Sequence, residues 1–320
     1  MSGKQEIKII QETFDINAIY ARRVFASVNI SNFLEEARQI ITSKPKPFVK
    51  WVGGKRQLLK QFRLLDLYPP DEFDPEKARY FEPFVGGGAV FFDLLPRKAY
   101  LSDLNFELVT TYNVIKNDVE KLITSLKKQK YNKEYYLKIR SKNPERLSDL
   151  QIATRFIFLN RAGFNGMYRV NSKGGFNVPF GKYENPLICD EKNLRKVSKA
   201  LQNVEIKHQD YKFVLKKAKK RDFIYFDPPY HPVSKTAAFT SYTSQGFGEK
   251  EQIELRDTFL KLHKRGCFVM LSNSDAPFIN KIYSEIKKYG VRINKVEAGR
   301  AINSKASGRG KITEILVTNY

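Results

Sequence analysis

Apolar positions fall into two periods along the chain, and the alternation between them outlines its elements. In residues 1–44, Ile16, Ile19, Tyr20, Val24, Phe33, Leu34, Ala37 and Ile41 recur at roughly helical spacing and predict one or two helices. Lys44-Pro45-Lys46-Pro47 then disfavours helix and marks a boundary. Residues 80–82 read as a strand, Gly86, Gly87 and Gly88 as a tight turn, and 89–95 as a helix. A second strand is expected at 99–102, ending on Asp103. Apolar residues at helical spacing in 108–126 and 152–159 make 106–160 mainly helical, whereas 161–187, rich in Gly, Asn, Pro, Arg and aromatics, read as an ordered loop or hairpin region. Short apolar runs at 204–206, 223–226, 267–272 and 314–318 return the pattern to strands. The expected organisation is a helical extension (1–46), an α/β unit built from 47–105 and 188–320, and a mainly helical insertion (106–187).

Composition changes this picture in two ways. A hydrophobic content of 42% in 320 residues supplies a core, so a globular protein is expected. Lys and Arg number 57 against 34 Asp and Glu, a net charge of +23, which suits a polyanionic partner because phosphate contacts release condensed counterions. A lysine-rich soluble surface would give the same count, so charge alone does not decide. Cys189 and Cys267 have no CxxC spacing, and His208, His231 and His263 no metal-ligand spacing; no metal site is expected. No apolar run is long enough to span a bilayer, and the N-terminus lacks a signal peptide's apolar core, so no membrane contact and a cytoplasmic location are expected.

A glycine turn between strand and helix lets backbone approach a ligand closely, and an acid about 20 residues on can hold ribose hydroxyls. Here the turn starts near Phe84 and the acid is Asp103. The turn is not GxGxxG, which disfavours a dinucleotide and fits S-adenosylmethionine, a ligand without phosphate. Upstream, Trp51, Gly53, Gly54 and Lys55 supply an aromatic, a turn and a cation able to hold an amino acid carboxylate beside a nucleoside. Asp210-Tyr211, after the strand at 204–206, offers a carboxylate for an adenine amine and a ring to pack beside it.

Asp227-Pro228-Pro229-Tyr230 follows the apolar run 223–226, so it ends a buried strand, where open α/β sheets bind ligands. An aromatic amine is a poor nucleophile because its lone pair is delocalised. If the Asp227 carboxylate and Pro228 carbonyl accept its two N–H bonds, the lone pair is freed toward a methyl donor. Pro228 and Pro229 fix φ and remove competing donors, and Tyr230 can stack on a purine swung out of the duplex. Attack at cytosine C5 would need a cysteine nucleophile, typically after proline, yet Cys189 follows Ile188 and Cys267 follows Gly266.

Taken together, KWVGGKRQLL at 50–59, FEPFVGGG at 81–88, SDLN at 102–105, NRAGFNGMYRVN at 160–171, FNVPFGKY at 176–183 and DFIYFDPPY at 222–230 closely resemble the Dam-type adenine-N6 DNA methyltransferases. The resemblance runs from about residue 47 to the C-terminus. It implies a class I methyltransferase fold, a Rossmann-like mixed sheet with the helical target-recognition domain inserted between cofactor and catalytic motifs, the α-group order. It implies a cofactor pocket of Trp51, Lys55, Phe84, Asp103, Asp210 and Asp227 and a duplex DNA target, usually GATC. In the insertion it implies guanine contacts from Lys50 and Arg169, neighbouring-base contacts from Asn165, Met167 and Pro179, and Phe164 as a wedge in the vacated stack. Met167 stands where leucine is frequent in the family, and Phe164 where tyrosine also occurs. Arg161 and the basic segment 300–311 are candidate phosphate contacts, and 231–248 a loop that closes over the extruded base.

Two other functions fit parts of the pattern. N4-cytosine methylation uses similar chemistry, but Ser commonly replaces the first Asp of the tetrapeptide. A DNA-binding regulator or restriction-system subunit without turnover would not need both motifs intact. A monomer is expected, because one adenine is modified per event, with a cognate restriction endonuclease as a possible functional partner.

Overall fold

A computed structural model of the protein describes residues 44–171, 174–233, 247–299 and 311–320. The helices expected before residue 44, most of the 231–248 loop and the basic segment from 300 to 310 lie outside the described residues.

The chain runs α1 (Arg56–Leu64), β1 (Arg79–Glu82), α2 (Ala89–Leu94), β2 (Lys98–Asp103), α3 (Phe106–Lys127), α4 (Lys133–Arg140), α5 (Asp149–Ala162), α6 (Glu191–Ala200), β3 (Val204–His208), α7 (Val214–Lys217), β4 (Phe223–Phe226), α8 (Glu249–Lys264), β5 (Phe268–Ser274), α9 (Pro277–Ser284), β6 (Arg292–Gly299) and β7 (Lys311–Thr318). The strands form one seven-stranded sheet of order β3-β2-β1-β4-β5-β7-β6. β1 to β5 pair in parallel, and β7 runs antiparallel between β5 and β6. This is the class I methyltransferase fold that the resemblance implies.

Alternation along the strands fills both faces. Tyr80, Phe223, Tyr225 and Met270 enter one buried cluster with α1, α2 and α3; Phe81, Ile224, Phe226, Val269 and Leu271 enter the other with α8 and α9. A central parallel strand covered on both sides reads as a continuous apolar run, and all four residues of β4 are buried. A third cluster, with Tyr136, Ile139, Phe158, Phe176 and Val178, gives the stretch after α3 a small core of its own. α5 serves two cores: Phe156 and Ile157 join the first cluster, Phe158 and Leu159 the third.

The sequence pattern misses β6. Its Arg-Ile-Asn-Lys-Val-Glu-Ala-Gly run is polar at half its positions because it is the sheet's edge, where charged side chains deter pairing with another chain. Among the described residues, no helix is long and apolar enough to cross a membrane.

Candidate active site

The strand order turns back between β1 and β4, and the C-terminal ends of four neighbouring strands carry the expected residues: Asp210 after β3, Asp103 on β2, Phe84 after β1 and Asp227 after β4. Such a switch point leaves a crevice at the strand ends, because the connections leave in opposite directions.

The glycine turn closes around Trp51. Gly86 has φ +46°, and a side chain there would bring its Cβ within 2.6 Å of Trp51 Cδ1; at Gly88, φ +69°, a Cβ would meet the Tyr112 hydroxyl at 2.6 Å. Tyr112 donates to the Gly86 carbonyl at 3.1 Å. Asp103 Oδ2 accepts from Gly86 N at 3.0 Å and Oδ1 from Asn105 N at 2.9 Å. Burial raises the proton affinity of Asp103, and these backbone donors oppose the rise. Phe84 stacks on Tyr211 with centroids 5.4 Å apart and meets Phe247 edge-on at 5.8 Å, giving the crevice an aromatic wall. Asp210 is exposed and accepts from Lys212 N at 2.7 Å, fixing the turn that carries Tyr211.

Two residues assigned separate tasks from sequence are bonded to each other. Lys55 Nζ lies 2.9 Å from Asp227 Oδ1 and donates to the Gly53 carbonyl at 2.5 Å. Lys55 is buried, whereas the Asp227 side chain keeps 20% of its exposure and so faces the crevice. Burial pushes the Asp227 carboxyl up to about 6, with Lys55 pulling the other way. Behind them Glu82 accepts from the Tyr80 hydroxyl at 2.9 Å and Phe91 N at 3.1 Å, and burial pushes it up to about 8. The Tyr230 ring lies 4.9 Å from Lys55 Nζ, and its hydroxyl donates to Glu314 Oε2 of β7 at 2.7 Å.

The tetrapeptide is also braced from behind. Gln252 of α8 donates to the Pro229 carbonyl at 2.9 Å and accepts from Asn273 of β5 at 2.9 Å, both side chains being fully buried. Asn273 Oδ1 accepts from His231 N at 3.3 Å, and Ser274 donates to the His231 carbonyl at 2.6 Å. Sequence reading missed Gln252, Asn273 and Glu314. The available signal was polar residues next to apolar runs: Asn273 after the apolar start of β5 and Glu314 before the apolar Ile-Leu-Val of β7.

A second surface gathers Lys50 with the insertion. Asn160, at the end of α5, accepts from Lys50 N and donates to the carbonyls of Lys50 and Gly166, each at 2.8 Å. It thus holds Lys50 against the turn Phe164–Gly166, where Asn165 has φ +54° and Gly166 φ +63°. Phe164 remains 46% exposed, a large cost for an aromatic without a partner. Lys50 Nζ lies 5.1 Å from the Tyr183 ring, beside a groove of about 410 Å³ that Arg161 and Lys182 also line. Arg169 and Pro179 are exposed and Asn165 and Met167 half-buried; Arg169 donates to Asn177 Oδ1 at 2.7 Å, beside the antiparallel bridge between Val170 and Phe176. Arg161 donates to the Phe48 carbonyl at 2.7 Å, so part of its donor capacity is spent inside the protein. Cys267 precedes β5, at the end of the parallel strands opposite the tetrapeptide, and its thiol is pushed up to about 11 by burial; neither trait suits a nucleophile.

Comparison with known proteins agrees with this geometry. The profile of the D12 class N6 adenine-specific DNA methyltransferases matches residues 51–302. A type II methyltransferase of Lactococcus lactis subsp. cremoris is 45% identical over 86% of this chain and 95% of its own length. A second, from Methanocaldococcus jannaschii, is 44% identical over 86% and 99%. A DNA adenine methylase of Vibrio cholerae is 35% identical over 85% and 95%.

Proposed function

Since the chain belongs to the D12 class of N6 adenine-specific DNA methyltransferases, we propose that it methylates adenine in duplex GATC sites, with S-adenosylmethionine as donor and the target base swung out of the helix. The observation that carries this reading is the Asp227-Pro228-Pro229-Tyr230 segment at the switch point, with its one crevice-facing carboxylate 2.9 Å from a buried ammonium.

The pocket residues fit that donor. The Gly86 turn leaves room only for backbone beside Trp51, the Phe84 and Tyr211 rings suit an adenine face, and Asp103 suits ribose hydroxyls. We assign Asp210 to the adenine amine and Lys55 to a carboxylate. Among the described residues around the tetrapeptide, the carboxylates of Asp227 and Glu314 outnumber the ammonium of Lys55, which favours a cationic sulfonium. When bound, S-adenosylmethionine supplies an electrophilic methyl: the N6–CH3 bond forms as the S–CH3 bond breaks, and sulfur keeps the electron pair.

The remaining work is done by this chain. Ionised Asp227 and the Pro228 carbonyl accept the two N–H bonds of the amine, which localises the lone pair on nitrogen. N6 sheds one proton on methylation, and Asp227 is the group positioned to take it and pass it to solvent. Pro229, held by Gln252, keeps the segment from relaxing. Tyr230, held by Glu314, offers a ring to the extruded purine.

We assign target recognition to the inserted stretch 106–187 together with Lys50. Exposed Lys50 and Arg169 suit the O6 and N7 acceptors of guanine, Met167 a thymine methyl, Asn165 and Pro179 neighbouring base edges, and Phe164 the gap left in the stack. The enzyme acts as a monomer in the cytoplasm and needs no metal. The names of its type II relatives support pairing with a cognate restriction endonuclease.

The test is transfer of labelled methyl to GATC and scrambled duplexes by wild type and Asp227→Ala. The expected result is label in N6-methyladenine on GATC only, reduced about 100-fold or more by the substitution. Label in cytosine, or equal label from both proteins, overturns the reading.

A further inference from the structure

Tyr168 lies between Met167 and Arg169, and its ring packs against both the first and the third buried cluster. Arg169 is exposed, while Tyr168 is half-buried and touches one wall of the proposed donor pocket, Trp51. Its ring stacks on Trp51, with centroids 5.7 Å apart and planes at 26°, and Trp51 is the residue against which Gly86 closes. Its hydroxyl donates to Glu107 Oε1 at 3.1 Å. Glu107 stands in the first turn of α3, two residues after Asn105, whose side chain caps that helix and whose N–H is held by Asp103.

The link continues into the insertion. Glu107 Oε2 accepts from Arg155 Nη1 at 2.6 Å, and both residues are 4% exposed in their side chains. Arg155 donates onward to the carbonyls of Ile139 and Arg140 at the end of α4. A buried ion pair that loses a bond leaves an uncompensated charge, so these contacts resist partial rearrangement and move, if at all, together. Phe156 and Phe176 close the ring contacts of Tyr168 at 5.4 and 5.6 Å.

We propose that Tyr168 is a positioning residue that couples filling of the methyl-donor pocket to recognition of the target sequence, through Trp51 on one side and the Glu107–Arg155 pair on the other. The inference rests on the proposed reading of Arg169 and of the donor pocket. A ligand that fixes Trp51 and the Asp103–Asn105 turn restrains Tyr168, and with it the backbone that presents Arg169. Linkage makes the effect reciprocal: cognate DNA tightens donor binding by the same factor. No catalytic contact is assigned to Tyr168.

The experiment is isothermal titration with S-adenosylhomocysteine, which cannot react, alone and with saturating duplex carrying either GATC or its scramble. Trp51, the chain's single tryptophan, provides an optical readout of the same binding. In wild type, GATC duplex is expected to tighten binding about 5-fold or more over the scramble. In Tyr168→Phe and Tyr168→Leu, that factor is expected to fall to within about twofold of one, with DNA-free affinity within about threefold of wild type. Tyr168→Phe keeps the ring and removes only the hydroxyl, so a folding failure of Tyr168→Leu does not remove the test. Wild-type coupling retained in Tyr168→Phe, or no coupling in wild type, overturns the inference. Arg169→Ala separates this from the underlying reading: if it leaves GATC preference unchanged, the recognition assignment fails; if it abolishes preference while Tyr168→Phe keeps full coupling, only the inference fails.

Discussion

Asp227 carries opposite influences on one carboxyl: burial pushes it up to about 6, and Lys55 at 2.9 Å pulls it down. Only the ionised form accepts both a substrate N–H and, later, the proton released by N6. The sign is therefore fixed: kcat/KM on a GATC duplex rises with pH through about 6 and is level above it. Removing the opposing charge raises the carboxyl further, so Lys55→Gln moves the acidic limb up by about one pH unit or more. A pH–rate profile flat down to about pH 5 in wild type, or an unmoved limb in the variant, rejects the role of the pair. At this scale the residue types were legible in the sequence, since an acid before two prolines at a strand end is local information. The partners were not: Glu314 reaches Tyr230 from 84 positions away, and only the sheet brings them together.

At the scale of elements, α5 links the cores and ends at the proposed recognition surface. Its start was readable, because Ser148 and Gln151 form a capping box that satisfies the first turn. Its end acts through Asn160, which serves three backbone atoms of two separate segments. Asn160→Ala leaves those buried groups unpaired and is expected to cost about 2–4 kcal/mol, with a lower Tm, and to weaken discrimination between GATC and single-base variants. Asn160→Asp, which sets a carboxylate oxygen against the Lys50 and Gly166 carbonyls in a buried site, is expected to cost at least as much as Asn160→Ala. Thermal unfolding and methylation of the variant sites check this; unchanged values in Asn160→Ala would show that Lys50 and the Phe164 turn are held by other means. The apolar strands were legible from pattern, whereas β6 was not, because an edge strand has no need of a continuous apolar run.

For the whole molecule, the +23 net charge is the dominant long-range feature. Duplex binding should weaken steeply with salt, by about 100-fold between about 50 and 200 mM if about four phosphates are neutralised. Asp227→Ala should keep the same slope, because it makes no phosphate contact. Filter binding or anisotropy across that range checks both, and a flat salt dependence would remove electrostatics as the source of affinity. The sequence by itself determined the succession of the apolar strands, the glycine turn and the chemistry-bearing quartet, because these rest on backbone conformation and residue type within a few positions. Tertiary structure alone decided that Lys55 pairs with Asp227, that Gln252, Asn273 and Glu314 brace the tetrapeptide, and that Tyr168 joins the two proposed binding surfaces. Those contacts depend on strand order and helix packing, which place residues distant in the chain within bonding distance, and no local pattern encodes a distance of that kind.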